Sequence, residues 1–285
     1  MKGSVWRLLI VACVGALACV GVALAANSGS FADPSSDAGS APDLSGVTMT
    51  NDDSGTVTIK VALANRSEFG LNDGVGVGID ADQNPDTGSF FYGAEYELDL
   101  EAGVPKLYRA SADGFFEEAP LPPSFRATFG AGVVTISFKP SELGSSTGFN
   151  LYTIGFDNSA IDTAPDIRTV NYQLVAGTSP PALSPDQRAP YTHAFKAKGV
   201  HGKFVQLNYF VLDGRAETQD TVVISKGKHV LKRLSSTLGD TNPFFFYYAR
   251  WRVPKNVRGA LKFCITSTDR AGNKSKQSCA ALTVK

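Results

Sequence analysis

Gly74-Val75-Gly76-Val77-Gly78-Ile79-Asp80-Ala81-Asp82-Gln83-Asn84-Pro85-Asp86-Thr87-Gly88 changes character at Ile79. Up to that residue the large apolar side chains fall on every second position, the period at which side chains leave opposite faces of a β-strand. Beyond it, Asp80, Asp82, Asn84 and Asp86 set four oxygen-bearing side chains at alternate positions along a stretch that Asn, Pro and Gly mark as a turn. Short acidic side chains spaced this way on a turning backbone can converge on a hard cation, and Ca²⁺ takes about six to eight oxygen ligands. Glu95 or Glu97, on the next strand, would close the shell. The loop is not an EF-hand: counted from Asp80, the sixth residue is Pro85 and the twelfth is Phe91, where that motif needs Gly and Glu. The expected calcium ligands are therefore Asp80, Asp82, Asn84, Asp86 and Glu95. The competing reading is an Asp/Asn-rich turn whose side chains bond their own backbone.

The same two-residue period extends in both directions. Val57, Ile59, Val61 and Leu63 alternate with polar or small residues; so do Tyr96, Leu98 and Leu100, then Val134, Ile136 and Phe138, Tyr152, Ile154 and Phe156, and Val170, Tyr172 and Leu174. No segment keeps a helical stripe for three turns. Frequent short strands separated by turn residues predict an all-β chain of two antiparallel β-sandwich domains. Residues 27–43 hold few large apolar groups and are expected to be a flexible leader before a first domain at 44–176. A Pro-rich linker spans 177–190, and a second domain of immunoglobulin-like size spans 191–285.

Lys2 and Arg7 precede an unbroken apolar run from Leu8 to Ala25 that closes on Ala23-Leu24-Ala25, the form of a secretory signal peptide over residues 1–26. Its removal would leave Cys264 and Cys279, no membrane span, and a secreted or cell-surface protein. The two cysteines lie symmetrically about Asp269-Arg-Ala-Gly-Asn273. A hairpin centred there would set them opposite each other as a cross-strand disulfide. The formal charge of zero conceals a segregation. Residues 27–180 hold 21 Asp/Glu and 7 Lys/Arg, whereas residues 181–285 hold 6 and 18. An acidic domain favours a multivalent cation and a basic one favours an anionic surface, unless the two halves attract each other.

Phe90, Phe91 and Tyr92 follow the acidic loop at a turn where burying three rings is awkward, and are the expected ligand-binding platform. Tyr108, Phe115 and Phe116 are further candidates, against the reading that all of them pack in the core. Catalysis finds little support. Gly144-Ser-Ser146-Thr-Gly148 matches G-x-S-x-G, yet a strand rather than a helix follows it. His193, His201 and His229 all lie outside that domain. Residues 44–176 contain no histidine and a single methionine, Met49, which argues against axially ligated haem. Lys226, Lys228, Lys232 and Arg233, then Arg250, Arg252, Lys255 and Arg258, form basic groups suited to an anionic envelope polymer rather than nucleic acid, or to a solvated edge strand.

With Gly78-Ile-Asp80-Ala-Asp82 and the Thr87-Gly88 turn, followed by Gly93-Ala-Glu95-Tyr96-Glu97, the first domain resembles secreted DOMON-like domains related in fold to family 9 carbohydrate-binding modules. The resemblance implies a sugar- or haem-binding sandwich. Val205-x-Leu207-x-Tyr209-x-Val211-x-Asp213-Gly214 resembles bacterial immunoglobulin or fibronectin-like modules, which implies a spacer or adhesive unit. The expected function is non-catalytic recognition of a polysaccharide or cell-envelope polymer by a calcium-ordered loop. The alternative is a structural or adhesive surface protein without a small ligand.

Overall fold

A computed structural model describes residues 27–145 and 147–285; the expected signal peptide and Ser146 lie outside them. The chain is all β, and its strands are antiparallel apart from one short parallel pair. The first domain comprises β1 (Asn27–Ala32), β2 (Leu44–Asn51), β3 (Val57–Leu63), β4 (Gly74–Asp80), β5 (Tyr96–Glu101), β6 (Val104–Ala110), β7 (Phe116–Ala119), β8 (Arg126–Gly130), β9 (Val133–Phe138), β10 (Gly148–Phe156), β11 (Ile161–Ala164) and β12 (Val170–Gln173). One sheet runs β1-β2-β3-β9-β8, the other β11-β10-β4-β5-β6-β7, with β12 also on β10. Between them Val57, Ile59 and Val61 meet Val75, Val77, Ile79, Leu98, Val134 and Ile136, all fully buried. The alternation visible in the sequence is this inward face.

Residues 27–32, expected to be part of a flexible leader, instead form β1. This strand pairs with β2 from Asn27↔Asn51 to Ala32↔Gly46. Phe31 packs against the core and the other side chains are small, so the strand is held chiefly by its backbone hydrogen bonds to β2. Asn27 Nδ2 also donates to the Gln173 carbonyl, and Tyr172 Oη donates to the Asn27 carbonyl.

The second domain comprises β13 (Tyr191–Ala194), β14 (Ala197–Gly199), β15 (Phe204–Leu212), β16 (Glu217–Lys226), β17 (His229–Ser235), β18 (Gly239–Asp240), β19 (Tyr247–Arg252), β20 (Gly259–Asp269) and β21 (Ser278–Val284). Its sheets are β13-β15-β19 and β14-β21-β20-β16-β17, with β18 on β16. Val205, Leu207, Val211, Trp251, Val253, Phe263, Ile265 and Leu282 fill the space between them. Cys264 and Cys279 are directly paired residues of β20 and β21 and form the disulfide. Among the described residues no helix is long and apolar enough to cross a membrane.

One apolar run faces the opposite way from the expectation. Tyr152, Ile154 and Phe156 of β10 point away from the first sandwich core, which takes Phe149 and Leu151 instead. The rings of Tyr152 and Phe156 lie over β4, where Gly78 and Gly74 leave room. A Cβ added at Gly78 would sit 2.1 Å from Tyr152 Cε1, and one at Gly74 would sit 2.2 Å from Phe156 Cζ. This second apolar layer is covered by the second domain: Phe244 packs on Tyr92 and Tyr152, at 6.2 and 5.1 Å between ring centroids, and Ala216 joins the same cluster.

Candidate ligand surface and cation site

The acidic loop folds as a turn fastened by its own side chains. Asn84 N donates to Asp80 Oδ1 and Asp82 Oδ1, both at 2.9 Å, and Asp86 N donates to Asn84 Oδ1. Thr87 Oγ1 lies 3.0 Å from both Asp82 Oδ2 and Glu95 Oε1, while Ala81 N donates to Glu95 Oε2. Three of the five expected calcium ligands converge. Carboxylate oxygens of Asp80, Asp82 and Glu95 lie within 4.8 Å of one another. Burial, with the nearby Glu95 charge, pushes Asp80 up to about 8, against hydrogen bonds from Asn150 and Asn84 that favour its charged form. Burial and the Asp82 charge also raise Glu95. A cluster in this condition takes up either a proton or a cation.

The other two expected ligands are turned elsewhere. Asp86 makes a two-pronged ion pair with Arg215, at 2.8 Å from Nε and 2.6 Å from Nη2, and Asn84 is used inside the turn. Arg188, near the end of the linker, donates to the carbonyls of Thr87, Ser89 and Gly88, and its guanidinium lies 4.3 Å from the centre of the Phe90 ring. The basic half thus grips the acidic half through two arginines. At the far side, Asn242 Nδ2 donates to Thr163 Oγ1 and the Asp166 carbonyl, and Arg168 pairs with Asp240.

This docking alters the role of Phe90, Phe91 and Tyr92. They do not form a free platform. Tyr92 is buried at 3% exposure, while Phe90 packs on Phe115 and Tyr191, and Phe91 on Phe116 and Phe244. Tyr108 donates to Glu101 instead of facing a ligand. Phe91 and Phe115 do reach a cleft of about 450 Å³ between the domains, shared with Tyr191, Phe195, Phe210 and Phe244. A larger hollow of about 850 Å³ beside Asp82 and Gln83 has no aromatic lining.

The cleft opens onto the outer face of β13-β15-β19. Phe195, Phe210 and Phe246 stack there, with 4.2 Å between the Phe210 and Phe246 centroids and His193 against Phe195. Further along, paired positions alternate ring and polar group: Asn208↔Tyr248, Gln206↔Arg250 and Phe204↔Arg252. Phe204, Tyr248 and Phe246 are 59%, 55% and 62% exposed, and Arg250 lies 4.9 Å over the Phe204 ring. At about 3.4 Å per residue the face from Phe204 to Phe210 extends roughly 20 Å. Sequence reasoning missed these rings. A signal existed, because Phe204 and Phe210 share the register of Gln206 and Asn208, opposite to the buried Val205, Leu207, Tyr209 and Val211.

The remaining basic groups are spread between the β17 edge and the β19–β20 loop, where Arg258 Nη2 lies 2.8 Å from His201 Nε2. β17 is exposed over nearly its whole length, with Lys232 and Arg233 on it, and Lys226 Nζ donates to the Arg258 carbonyl. Gly144–Gly148 connects a short 3-10 turn at Pro140–Leu143 to β10.

No protein-family profile matches the chain, and no curated protein does. Among solved structures, the chain is similar to the fibronectin(III)-like modules of Clostridium thermocellum CbhA, at 8% identity over 81% of this chain and 85% of that one, with a TM-score of 0.26. It is also similar to a chimeric titin Z1Z2-Z1Z2 tandem, at 13% identity over 81% and 91% with a TM-score of 0.22. The endo-fucoidan hydrolase MfFcnA4 from glycoside hydrolase family 107 matches at 14% identity over 66% of this chain and 25% of that one, with a TM-score of 0.26. Overlaps at these TM-scores carry no argument beyond themselves. The β-sandwich architecture rests on the sheets described above.

Proposed function

We propose that the protein is an exported, non-catalytic binding protein whose second domain recognises an anionic polysaccharide of the cell envelope. The observation that carries this reading is the outer face of β15 and β19, where exposed rings alternate with Gln206, Asn208, Arg250 and Arg252. Rings stack on the apolar faces of sugars, amides and guanidiniums hold hydroxyls and acidic groups, and a flat face suits an extended chain. Anionic ligands follow from the charge: the second half carries 18 Lys/Arg to 6 Asp/Glu. The first domain, DOMON-like in its motifs, then acts as the support. In this reading Ca²⁺ on Asp80, Asp82 and Glu95 steadies the loop that Arg188 and Arg215 hold.

The test is co-sedimentation with insoluble acidic and neutral polysaccharides and envelope fractions, at low and high salt. Phe204→Ala with Tyr248→Ala should abolish retention without changing the melting temperature, because both rings are exposed. Arg250→Ala with Arg252→Ala should remove the preference for acidic polymers and its salt dependence. Retention unchanged in both variants overturns the site. Absence of retention on every polymer leaves a structural surface protein.

A further inference from the structure

We propose that a second calcium ion binds between the β1–β2 connection and β11, with the carboxylates of Asp33, Asp37 and Asp162 as ligands. One oxygen from each lies within 4.8 Å of the others, a spacing that a single ion can span. These residues come from parts of the sequence too far apart to form a motif. Asp33 follows β1, Asp37 lies in the connection and Asp162 belongs to the edge strand of the opposite sheet.

Three carboxylates alone do not make a site; the decisive observation is an unsatisfied one. Asp33 is only 9% exposed, and its Oδ2 has no hydrogen-bond partner. Asp43, 4% exposed, has an unpartnered Oδ1 while its Oδ2 accepts from Ser36 N. Asp162 is 4% exposed, and its Oδ2 accepts from Leu44 N. None of the salt bridges among the described residues reaches any of them. Buried carboxylate oxygens without a donor or counter-charge are costly, and a cation held by Asp33, Asp37 and Asp162 would satisfy the Asp33 oxygen. Burial and the charges of Asp162, Asp166, Asp37 and Asp43 hold Asp33 up at about 7, and burial leads among the causes that bring Asp162 to about 6. Carboxylates supplied by an irregular loop and a strand suit Ca²⁺, whose coordination is flexible, better than Mg²⁺, which demands near-ideal octahedral geometry.

The ion would tie the β1–β2 connection, in one sheet, to β11, in the other. Next to Asp162, Thr163 accepts a hydrogen bond from Asn242 of the second domain, as does the Asp166 carbonyl. The site therefore also steadies one side of the interdomain contact. It is independent of the acidic loop at 80–88.

The experiment is calorimetric titration of EDTA-stripped protein with Ca²⁺, comparing wild type, Asp37→Asn and Asp82→Asn. Asp37 is exposed, so Asp37→Asn tests the site without disturbing the core. It should bind one calcium equivalent fewer than wild type, whatever Asp82→Asn does at the other loop. Equal stoichiometry and affinity in wild type and Asp37→Asn overturns the proposal, as does a wild type that takes up no Ca²⁺. Asp33→Asn provides a second reading through thermal melting. In EDTA it should melt at or above wild type, having lost a buried unpaired charge, and its Ca²⁺-induced rise should be smaller. A full calcium-induced rise in Asp33→Asn also overturns the site.

Discussion

Gly214→Ala should undock the two domains while leaving each folded. Gly214 is not in the left-handed region, so alanine carries no backbone strain there; the whole effect is contact. An added Cβ would sit 1.9 Å from the Pro85 carbonyl oxygen, and the backbone of the acidic loop has no side-chain freedom with which to yield. The second domain must retreat by more than an ångström. That displacement takes Arg215 out of reach of Asp86, which it now meets at 2.6 and 2.8 Å. Overpacking costs about 1–3 kcal/mol and each charged hydrogen bond about 1.5–3 kcal/mol. Arg215 is partly exposed, so the low ends apply, and the sum is about 4 kcal/mol of docking energy. At about 1.4 kcal/mol per decade the ratio of docked to undocked molecules falls by nearly three powers of ten. Scanning calorimetry should show one cooperative transition for wild type and two for the variant, and small-angle scattering should show a larger radius. Gly130→Ala, with nothing within 4 Å of the added carbon, is the control. If Gly214→Ala melts and scatters like Gly130→Ala, the close approach is not what holds the halves together.

Asp213→Asn should alter the pH dependence of stability. Burial, with the charges of Asp186 and Asp269, raises Asp213 from its ordinary 3.8 to about 7. The folded state therefore holds a proton that the unfolded chain has released, and the stability it confers is lost as pH rises from about 4 to about 7. The variant should gain on wild type between pH 5 and pH 8 in urea unfolding; a constant difference across that range would refute the shift. Replacing Cys264 and Cys279 together by alanine should lower stability by about 3 kcal/mol, as expected for a closed loop of this length, measured against wild type with and without reductant.

The fold was legible because the two-residue period separates the inward and outward faces of each strand. Val57, Ile59 and Val61 announced β3, and the positions of Cys264 and Cys279 announced the β20–β21 register. What escaped was the second face of β4 and β10. A strand with valine inward and glycine outward reads as half-exposed, yet Gly74 and Gly78 are small because rings from β10 lie on them. No local pattern states that another domain covers those rings. The spacing of Asp80 and Asp82 shows that their carboxylates come together with Glu95, whereas nothing near Asp86 in the sequence shows its partner, because Arg215 lies 129 residues away. The segregated charge was visible in composition, and its outcome here is two arginines on one loop. Phe204 and Tyr248 were recoverable from register alone.

The first part of the linker, as far as Pro185, tethers the halves but does not hold them together. From Ala176 to Pro185 every residue is exposed and none belongs to a strand. The bonds that join the halves come from beyond it, from Arg188 to the carbonyls of Thr87, Gly88 and Ser89, from Arg215 to Asp86 and from Asn242 to Thr163 and Asp166. A protease cutting between Thr178 and Leu183 would therefore sever the chain without releasing the pieces, which should run as two bands in denaturing gel electrophoresis and as one species in gel filtration.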